Sequence, residues 1–365
     1  LIPPVRRKTE NKAVNLTHLG WNSFYSRAFE PYRRSGCRAG RVAMAHPGLY
    51  RVLTESGELD APAAGRLLHE DTNPPLVGDW VALRPGAAIE AVLPRRTVLA
   101  RKQPGSTFGR QPLAANLDML LIVTGLDGDF SPRRIERYLV LAEHSGIEPL
   151  LVLSKADLLD EPARRRALDT VRSLSPQTPV VLWSAYDPSG IEALDGAVGR
   201  GRTAALIGSS GVGKSTMVNC LLGYEALATR PVRESDSGGR HTTSRRQLIP
   251  LPQGWVLIDM PGLREVQLWA EESAVESVFA DIEALARSCR FRNCTHTAEP
   301  DCAVLTAVAE SGLDAARLAQ FHQLRREAAY VEAQQDTSAL LARKRREKAF
   351  QCTVNRLLRE LPKLR

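Results

Sequence analysis

Between Cys37 and about Val98 the apolar positions come in short runs, Arg41–Ala45, Leu49–Thr54, Asp79–Leu83 and Ile89–Leu93, separated by turns that carry Gly and Pro. Runs bounded in this way predict β-strands. Several of them without a long helix predict a small barrel over residues 36–98, OB-like or SH3-like as far as strand number goes. From residue 99 to 270 the rhythm changes. Met119–Thr124, Leu150–Leu153, Val180–Trp183 and Ala204–Ile207 are almost continuously apolar, as strands buried on both faces of a parallel sheet are. The stretches between them, notably Pro132–Ser145 and Ala163–Leu174, read as helices, and the alternation predicts a doubly wound α/β domain. Residues 271–365 read as a helical region through Glu271–Arg287, Leu313–Ala333 and Ala339–Leu358. Residues 1–35 are expected to be a flexible arm, with Leu19, Trp21 and Phe24 as its docking side chains.

Composition adds little to this. A chain of 365 residues accommodates two or three domains, and 43% hydrophobic with 25% charged residues is ordinary for globular protein. Forty-nine Lys and Arg against 41 Asp and Glu leave a formal net charge of +8, which favours an anionic partner without choosing between nucleic acid and membrane. No apolar run approaches the ~20 residues needed to cross a bilayer. The start, Leu1–Lys12, is basic and polar without a secretory apolar stretch, so a cytoplasmic protein with no membrane partner is expected.

The chemistry begins at Gly208-Ser209-Ser210-Gly211-Val212-Gly213-Lys214-Ser215, which has the form G-x-x-x-x-G-K-S/T and sits between the apolar run Thr203–Ile207 and an apparent helix, Thr216–Leu222. The glycines let backbone N–H groups turn toward phosphates, and the following helix offers its positive end to the same charges. Lys214 is placed to reach the β- and γ-phosphates and Ser215 to bind Mg²⁺, with Thr216 beside them.

Two further elements lie upstream. Ser154-Lys155-Ala156-Asp157 ends the run Leu150–Leu153 and has the form of the guanine-reading N/T-K-x-D motif, with Ser154 in place of the usual Asn or Thr. An Asp carboxylate there accepts from guanine N1–H and the 2-amino group, a donor pair adenine lacks. Ser154 keeps a hydroxyl but loses the amide, so a weaker loop brace is expected. One αβ unit later, Ser184-Ala185 follows Val180–Trp183 in the manner of a loop that approaches the guanine oxygen. Downstream of the phosphate loop come Thr242 and Thr243, then Asp259-Met260-Pro261-Gly262, a D-x-x-G segment ending the run Val256–Ile258. Its Asp suits Mg²⁺ and the Gly262 N–H the γ-phosphate. Base-reading loops before the phosphate loop reverse the ordinary order, so the chain reads as a circularly permuted GTPase that binds GTP and GDP.

With these motifs, the Gly239–Thr243 stretch and the cysteine cluster described below, the sequence resembles the ribosome small-subunit-dependent GTPase A family (RsgA, or YjeQ/YloQ) from about Leu16 to Arg346. The resemblance implies an OB-fold N-terminal domain, a permuted GTPase centre and a C-terminal zinc domain. It also implies action in late maturation of the small ribosomal subunit, with GTP hydrolysis stimulated by that subunit and its rRNA. Leu263 stands where many GTPases carry a water-orienting Gln. His241 is the local candidate for that task, as the resemblance also suggests; a histidine facing RNA or solvent is the alternative. Either Thr242 or Thr243 supplies the Mg²⁺ hydroxyl.

Cys289, Cys294, His296 and Cys302 offer three thiolates and an imidazole, a full tetrahedral set for one structural zinc. Arg290 and Arg292 flank Phe291 beside it, and Arg343–Arg346 with Lys348, and Arg95, Arg96, Arg101 and Lys102, form further basic stretches suited to RNA. A monomer is expected. Two competing readings stand beside the GTPase: an RNA-binding module with nucleotide as a structural ligand, and an ATP-using P-loop enzyme.

Overall fold

The computed structural model describes residues 15–65, 67, 74–102, 110–226, 246–260 and 270–333. The chain divides into two compact units, one of Leu1–Ala100 with Pro112–Val266, the other of Arg101–Gln111 with Gln267–Arg365.

The first unit departs from expectation at its start. Instead of a flexible arm, residues 16–34 form a 3-10 turn, Leu16–Leu19, and helix α1, Ser23–Arg34. Asn15 and Asn22 cap the two, the Asn22 Oδ1 accepting from the Phe24 N–H at 3.0 Å. Tyr25 and Phe29, four residues apart on one helix face, are buried with Leu19, and Trp21 packs edge-on against Trp80 at 4.8 Å between ring centres. Caps and an aromatic stripe outweigh the polar composition of this stretch. Of the expected docking residues, Phe24 remains exposed.

Five strands follow: β1 Arg38–His46, β2 Leu49–Thr54, β3 Gly57–Pro62, β4 Trp80–Leu83 and β5 Ile89–Val92. They pair antiparallel in the order β3-β2-β1-β4-β5, and a parallel bridge between Ala63 and Ile89 joins the two ends. This is the Greek-key strand order of an OB-like barrel. Val42, Val52, Val81, Leu83 and Ile89 fill it. A two-stranded ribbon comes next, β6 Val98–Lys102 with β7 Arg110–Ala115.

The α/β sheet contains β8 Met119–Gly125, β9 Glu148–Ser154, β10 Val180–Leu182, β11 Thr203–Ile207, β12 Gln247–Pro250 and β13 Val256–Asp259. Their spatial order is β10-β9-β8-β11-β13-β12, all parallel except β12. Helices α2 Pro132–His144, α3 Glu161–Leu174, α4 Ser189–Val198 and α5 Lys214–Leu222 alternate with the strands. Leu121, Val123, Val152, Leu206 and Leu257 are buried in the sheet, which accounts for their unbroken apolar runs.

In the second unit the helix expected over Glu271–Arg287 is two, α6 Glu272–Val278 and α7 Ala280–Ala286. The break at Phe279 sends its ring into the core against Phe321, 5.5 Å away. Then come α8 Ala303–Ala309 and a helix, α9, over 315–333. The helix expected at Ala339–Leu358 lies outside the described residues. Among the described residues no helix is long and apolar enough to cross a membrane.

Arg41, on β1, ties the pieces of the first unit together. Its side chain is buried. Nε donates to the Gly78 carbonyl at 3.2 Å, Nη1 to the Leu19 carbonyl and to Thr203 Oγ1 at 2.8 Å, and Nη2 to the Asn116 carbonyl at 3.1 Å. The terminal helix segment, the barrel and the first residue of β11 thus share one guanidinium, which also stacks over Trp80. Burial pulls its pKa down to about 10, still charged at neutral pH. Gly78 itself takes φ +92°, and a Cβ there would lie 2.1 Å from the Ala115 carbonyl. Removing the guanidinium takes their donor from the Leu19 and Asn116 carbonyls, while that of Gly78 keeps the Asn116 amide. Arg41→Ala is expected to destabilise the chain by about 3 kcal/mol or more, read by denaturant unfolding.

Candidate functional site

The C-terminal ends of parallel strands are where α/β sheets hold ligands, and those predicted nucleotide residues that are described gather there. At the end of the central strand β11 the chain turns at Gly208, with φ +153°, so close beneath Val123 that a Cβ would meet its carbonyl at 2.2 Å. Gly213, in the left-handed region, starts α5. Val212 is buried, while Ser209, Ser210 and Ser215 are partly or fully exposed on the loop, with Thr216 half-buried in the first helical turn. The Lys214 ammonium donates to the carbonyls of Gly208, at 2.7 Å, and Ser209. Asp259 ends β13, the neighbour of β11. Burial raises its carboxyl pKa, and the positive charge of Lys214 works against that. Lys214 and Asp259 are thus close enough for their charges to interact.

On the other side of β11, the base-reading segment follows β9. Ser154 is fully buried, and its hydroxyl lies 2.7 Å from the Val212 carbonyl and 3.2 Å from that of Thr124. The serine therefore still braces the phosphate loop directly, with one proton facing two acceptors. Lys155 has φ +58° and pairs with Asp127. Asp157 Oδ1 accepts from Ser184 Oγ at 2.6 Å, and the same hydroxyl accepts from the Tyr186 N–H at 3.2 Å. This joins the Ser154–Asp157 and Ser184-Ala185 loops. His241, Thr242, Thr243 and Gly262, together with Gly239, Arg240 and Leu263, lie outside the described residues.

Three residues in this place were not anticipated. Asp127 and Asp129 stand on the loop after β8, and Arg134 in the first turn of α2. Arg134 Nη1 donates to Asp129 Oδ2 at 2.7 Å and to Ser209 Oγ at 3.0 Å. Burial works to raise the Asp127 pKa, but donation from Lys155 and from the Asp129 N–H brings it below the ordinary value. One acidic loop thus clasps both the base side and the phosphate side. Its position at the carboxyl end of the strand next to β11 was the available signal.

In the second unit Cys289, Cys294, His296 and Cys302 place their ligand atoms within 4.8 Å of one another. Cys289 and Cys302 sulfurs are 3.8 Å apart, and His296 Nδ1 is 3.4 Å from Cys302 and 3.6 Å from Cys289. A tetrahedron with metal–sulfur bonds of ~2.3 Å and metal–nitrogen bonds of ~2.0 Å has edges of ~3.8 and ~3.5 Å. The set fits a closed tetrahedral metal centre, and all four groups can hold an ion. The three thiols are unbridged. His322 Nε2 lies 3.3 Å from the His296 carbonyl and braces the loop.

The basic candidates divide. Arg95 is held by the fully buried Asp79 at 2.6 Å and serves the barrel rather than an outer surface. Arg96 reaches Asp118 at 3.3 Å. Arg101 donates to Gln111, and Lys102 lies over the Tyr330 ring. Phe291 is exposed beneath Arg290, which also pairs with Asp301, and Arg292 is exposed. Arg343–Arg346 and Lys348 lie outside the described residues.

Comparison with known proteins agrees with this geometry. The family model described as RsgA GTPase matches residues 92–269. A protein of Opitutus terrae named small ribosomal subunit biogenesis GTPase RsgA is 45% identical over 352 residues, 92% of this chain and 95% of the relative. One of the same name from Syntrophotalea carbinolica is 40% identical over 361 residues, 95% of this chain and 99% of its own. The crystal structure of YjeQ from Thermotoga maritima superposes with a TM-score of 0.60 at 26% identity, covering 80% of this chain and 99% of that one. The fold is shared as well with YloQ, titled a circularly permuted GTPase, at a TM-score of 0.57, 24% identity and coverage of 80% and 95%. Sequence order, strand topology and these relatives agree that the chain belongs to the RsgA family of circularly permuted GTPases.

Proposed function

We propose that this GTPase acts in late maturation of the small ribosomal subunit, hydrolysing GTP to GDP and phosphate when bound to that subunit and its rRNA. The observation that carries it is the meeting of the base-reading and phosphate loops through Ser154 and Val212, in a chain whose near full-length relatives are named for biogenesis of that subunit. The protein works in the cytoplasm as a monomer. Its parts are a barrel over 36–98, a GTPase domain over 99–270 and a zinc-binding helical region over 271–365.

The guanine edge lies against Asp157, with the Lys155 stem along the base and Ser184-Ala185 beside the guanine oxygen. Guanine, with its paired donors, satisfies the Asp157 carboxylate, and adenine does not. The phosphates lie in the backbone cradle from Gly208 to Ser215, with Thr216 behind it, where Lys214 and the start of α5 stabilise charge developing on the transferred group. Ser215, Asp259 and one of Thr242 and Thr243 hold Mg²⁺, which when bound neutralises phosphate charge. The Gly262 N–H meets the γ-phosphate. Leu263 offers the attacking water no hydrogen bond, so His241 orients it when the subunit is bound. Stimulation by the subunit follows from that dependence. The cysteine cluster holds zinc, whose ion fixes the loop that presents Phe291 and Arg292 for stacking and phosphate contact.

Multiple-turnover phosphate release is expected to rise at least about tenfold with small subunits and to stay basal with large subunits or none, a change of about 1.4 kcal/mol in the activation barrier. Equal rates in all three contradict the assignment. Asp157→Asn replaces an acceptor by a donor. GTP affinity is expected to fall about 100-fold or more while affinity for xanthosine triphosphate, whose C2 carbonyl accepts, rises; equilibrium titration reads both. Elemental analysis of protein purified without chelator is expected to give one zinc per chain, and Cys302→Ser to lose it.

A further inference from the structure

A polar cavity of about 180 Å³ lies at the amino ends of β8 and β11, the end of the sheet opposite the nucleotide loops. For scale, about 10–15 Å³ holds one water. Its walls come from the segment before and within α1, from the barrel and from the sheet, all in the first unit. Three guanidiniums line it, Arg41, Arg96 and Arg202, against one carboxylate, Asp118. That carboxylate is already engaged, Oδ2 by the Thr203 N–H at 2.8 Å and Oδ1 by Arg96 at 3.3 Å. Tyr25 also lines the cavity. It is only 2% exposed, and no hydrogen bond to its phenol oxygen occurs among the described residues.

We propose that this cavity binds a small free oxyanion of the phosphate class, with Tyr25, Arg41, Arg96 and Arg202 as its donors. A buried cation ordinarily has a carboxylate in contact. Arg41 has carbonyls and a hydroxyl instead, and burial depresses its pKa to about 10. An anion entering the cavity supplies the missing negative charge and accepts from the phenol. Arg96 and Arg202 each keep N–H groups beyond those given to Asp118 and Glu148. A free ion fits better than a phosphate of a polynucleotide, because Tyr25 at 2% and Arg41 at 1% exposure lie out of reach of an extended backbone. Since the occupant touches the α1 segment, the barrel and the sheet, binding stiffens the joint that Arg41 already makes.

The test uses the full chain saturated with a non-hydrolysable GTP analogue and Mg²⁺, so that the phosphate loop is filled through its γ-position. Inorganic phosphate is titrated by calorimetry and by thermal unfolding, with chloride at matched ionic strength as the blank. One saturable site per chain and a rise in the unfolding midpoint are expected. Tyr25→Phe, which keeps the ring packing, is expected to weaken phosphate roughly tenfold, and so is Arg96→Gln on a half-exposed side chain. Arg33→Gln, on the exposed face of α1 and outside the cavity, is expected to leave phosphate affinity unchanged. Absence of saturable binding by the analogue-filled protein at millimolar phosphate overturns the proposal. So does unchanged affinity in both Tyr25→Phe and Arg96→Gln, or displacement of the phosphate by a short RNA oligonucleotide, which would assign the binding to an open surface.

Discussion

The hydroxyl of Ser154 lies within 2.7 Å of the Val212 carbonyl, and the nucleotide site depends on that contact. It joins two loops that are 58 positions apart in the chain, one proposed to read the base and the other proposed to cradle the phosphates. Both loops are buried on their inner sides, so neither can shift without breaking a hydrogen bond that water cannot replace. The acidic loop after β8 repeats the connection from outside, through Asp127 to Lys155 and Asp129 with Arg134 to Ser209. Two independent ties hold the two loops at a fixed separation. Preorganisation of this kind is what a phosphoryl-transfer site needs, since most of its catalysis is positioning and charge stabilisation.

A parallel sheet makes this possible in permuted order. The loops at the carboxyl ends of β9, β10, β11 and β13 lie on one edge whatever order the chain visits them in. What permutation changes is which segments are joined to the sheet. Here the barrel runs into β8 through the ribbon, and Arg41 fastens barrel and terminal helix to the first residue of β11. The strand that carries the phosphate loop at one end is held at the other by a buried guanidinium. The barrel and the nucleotide loops therefore share a rigid element, a route by which events on one can bias the other.

How much of this was legible in the sequence follows from the range of each interaction. The barrel strands, the continuous apolar runs of the sheet and the phosphate loop are local patterns, and they appear where periodicity and glycine spacing put them. Ser154, Asp157 and Ser184 were legible as motifs, but their mutual hydrogen bonds were not, because those depend on β9 and β10 lying side by side. Asp127, Asp129 and Arg134 have no motif of their own and acquire meaning only from the strand that precedes them. Residues 16–34 were misread because two asparagine caps and a pair of buried aromatics stabilise a helix that its charged composition conceals. The split of Glu271–Arg287 at Phe279 reflects a tertiary demand, burial of one ring, on a continuous helical pattern. The cysteine cluster was readable from spacing because a tetrahedral centre needs its ligands close in space, and short spacing supplies that.

The central claim is that one guanosine triphosphate spans the two reversed segments. A crystal structure of the full chain with Mg²⁺ and a non-hydrolysable GTP analogue tests it most directly. The account predicts the guanine N1 and 2-amino groups on Asp157 and the β- and γ-phosphates on Lys214 of the same chain. An analogue held by Lys214 with its base turned away from Asp157 and Ser184 would contradict it.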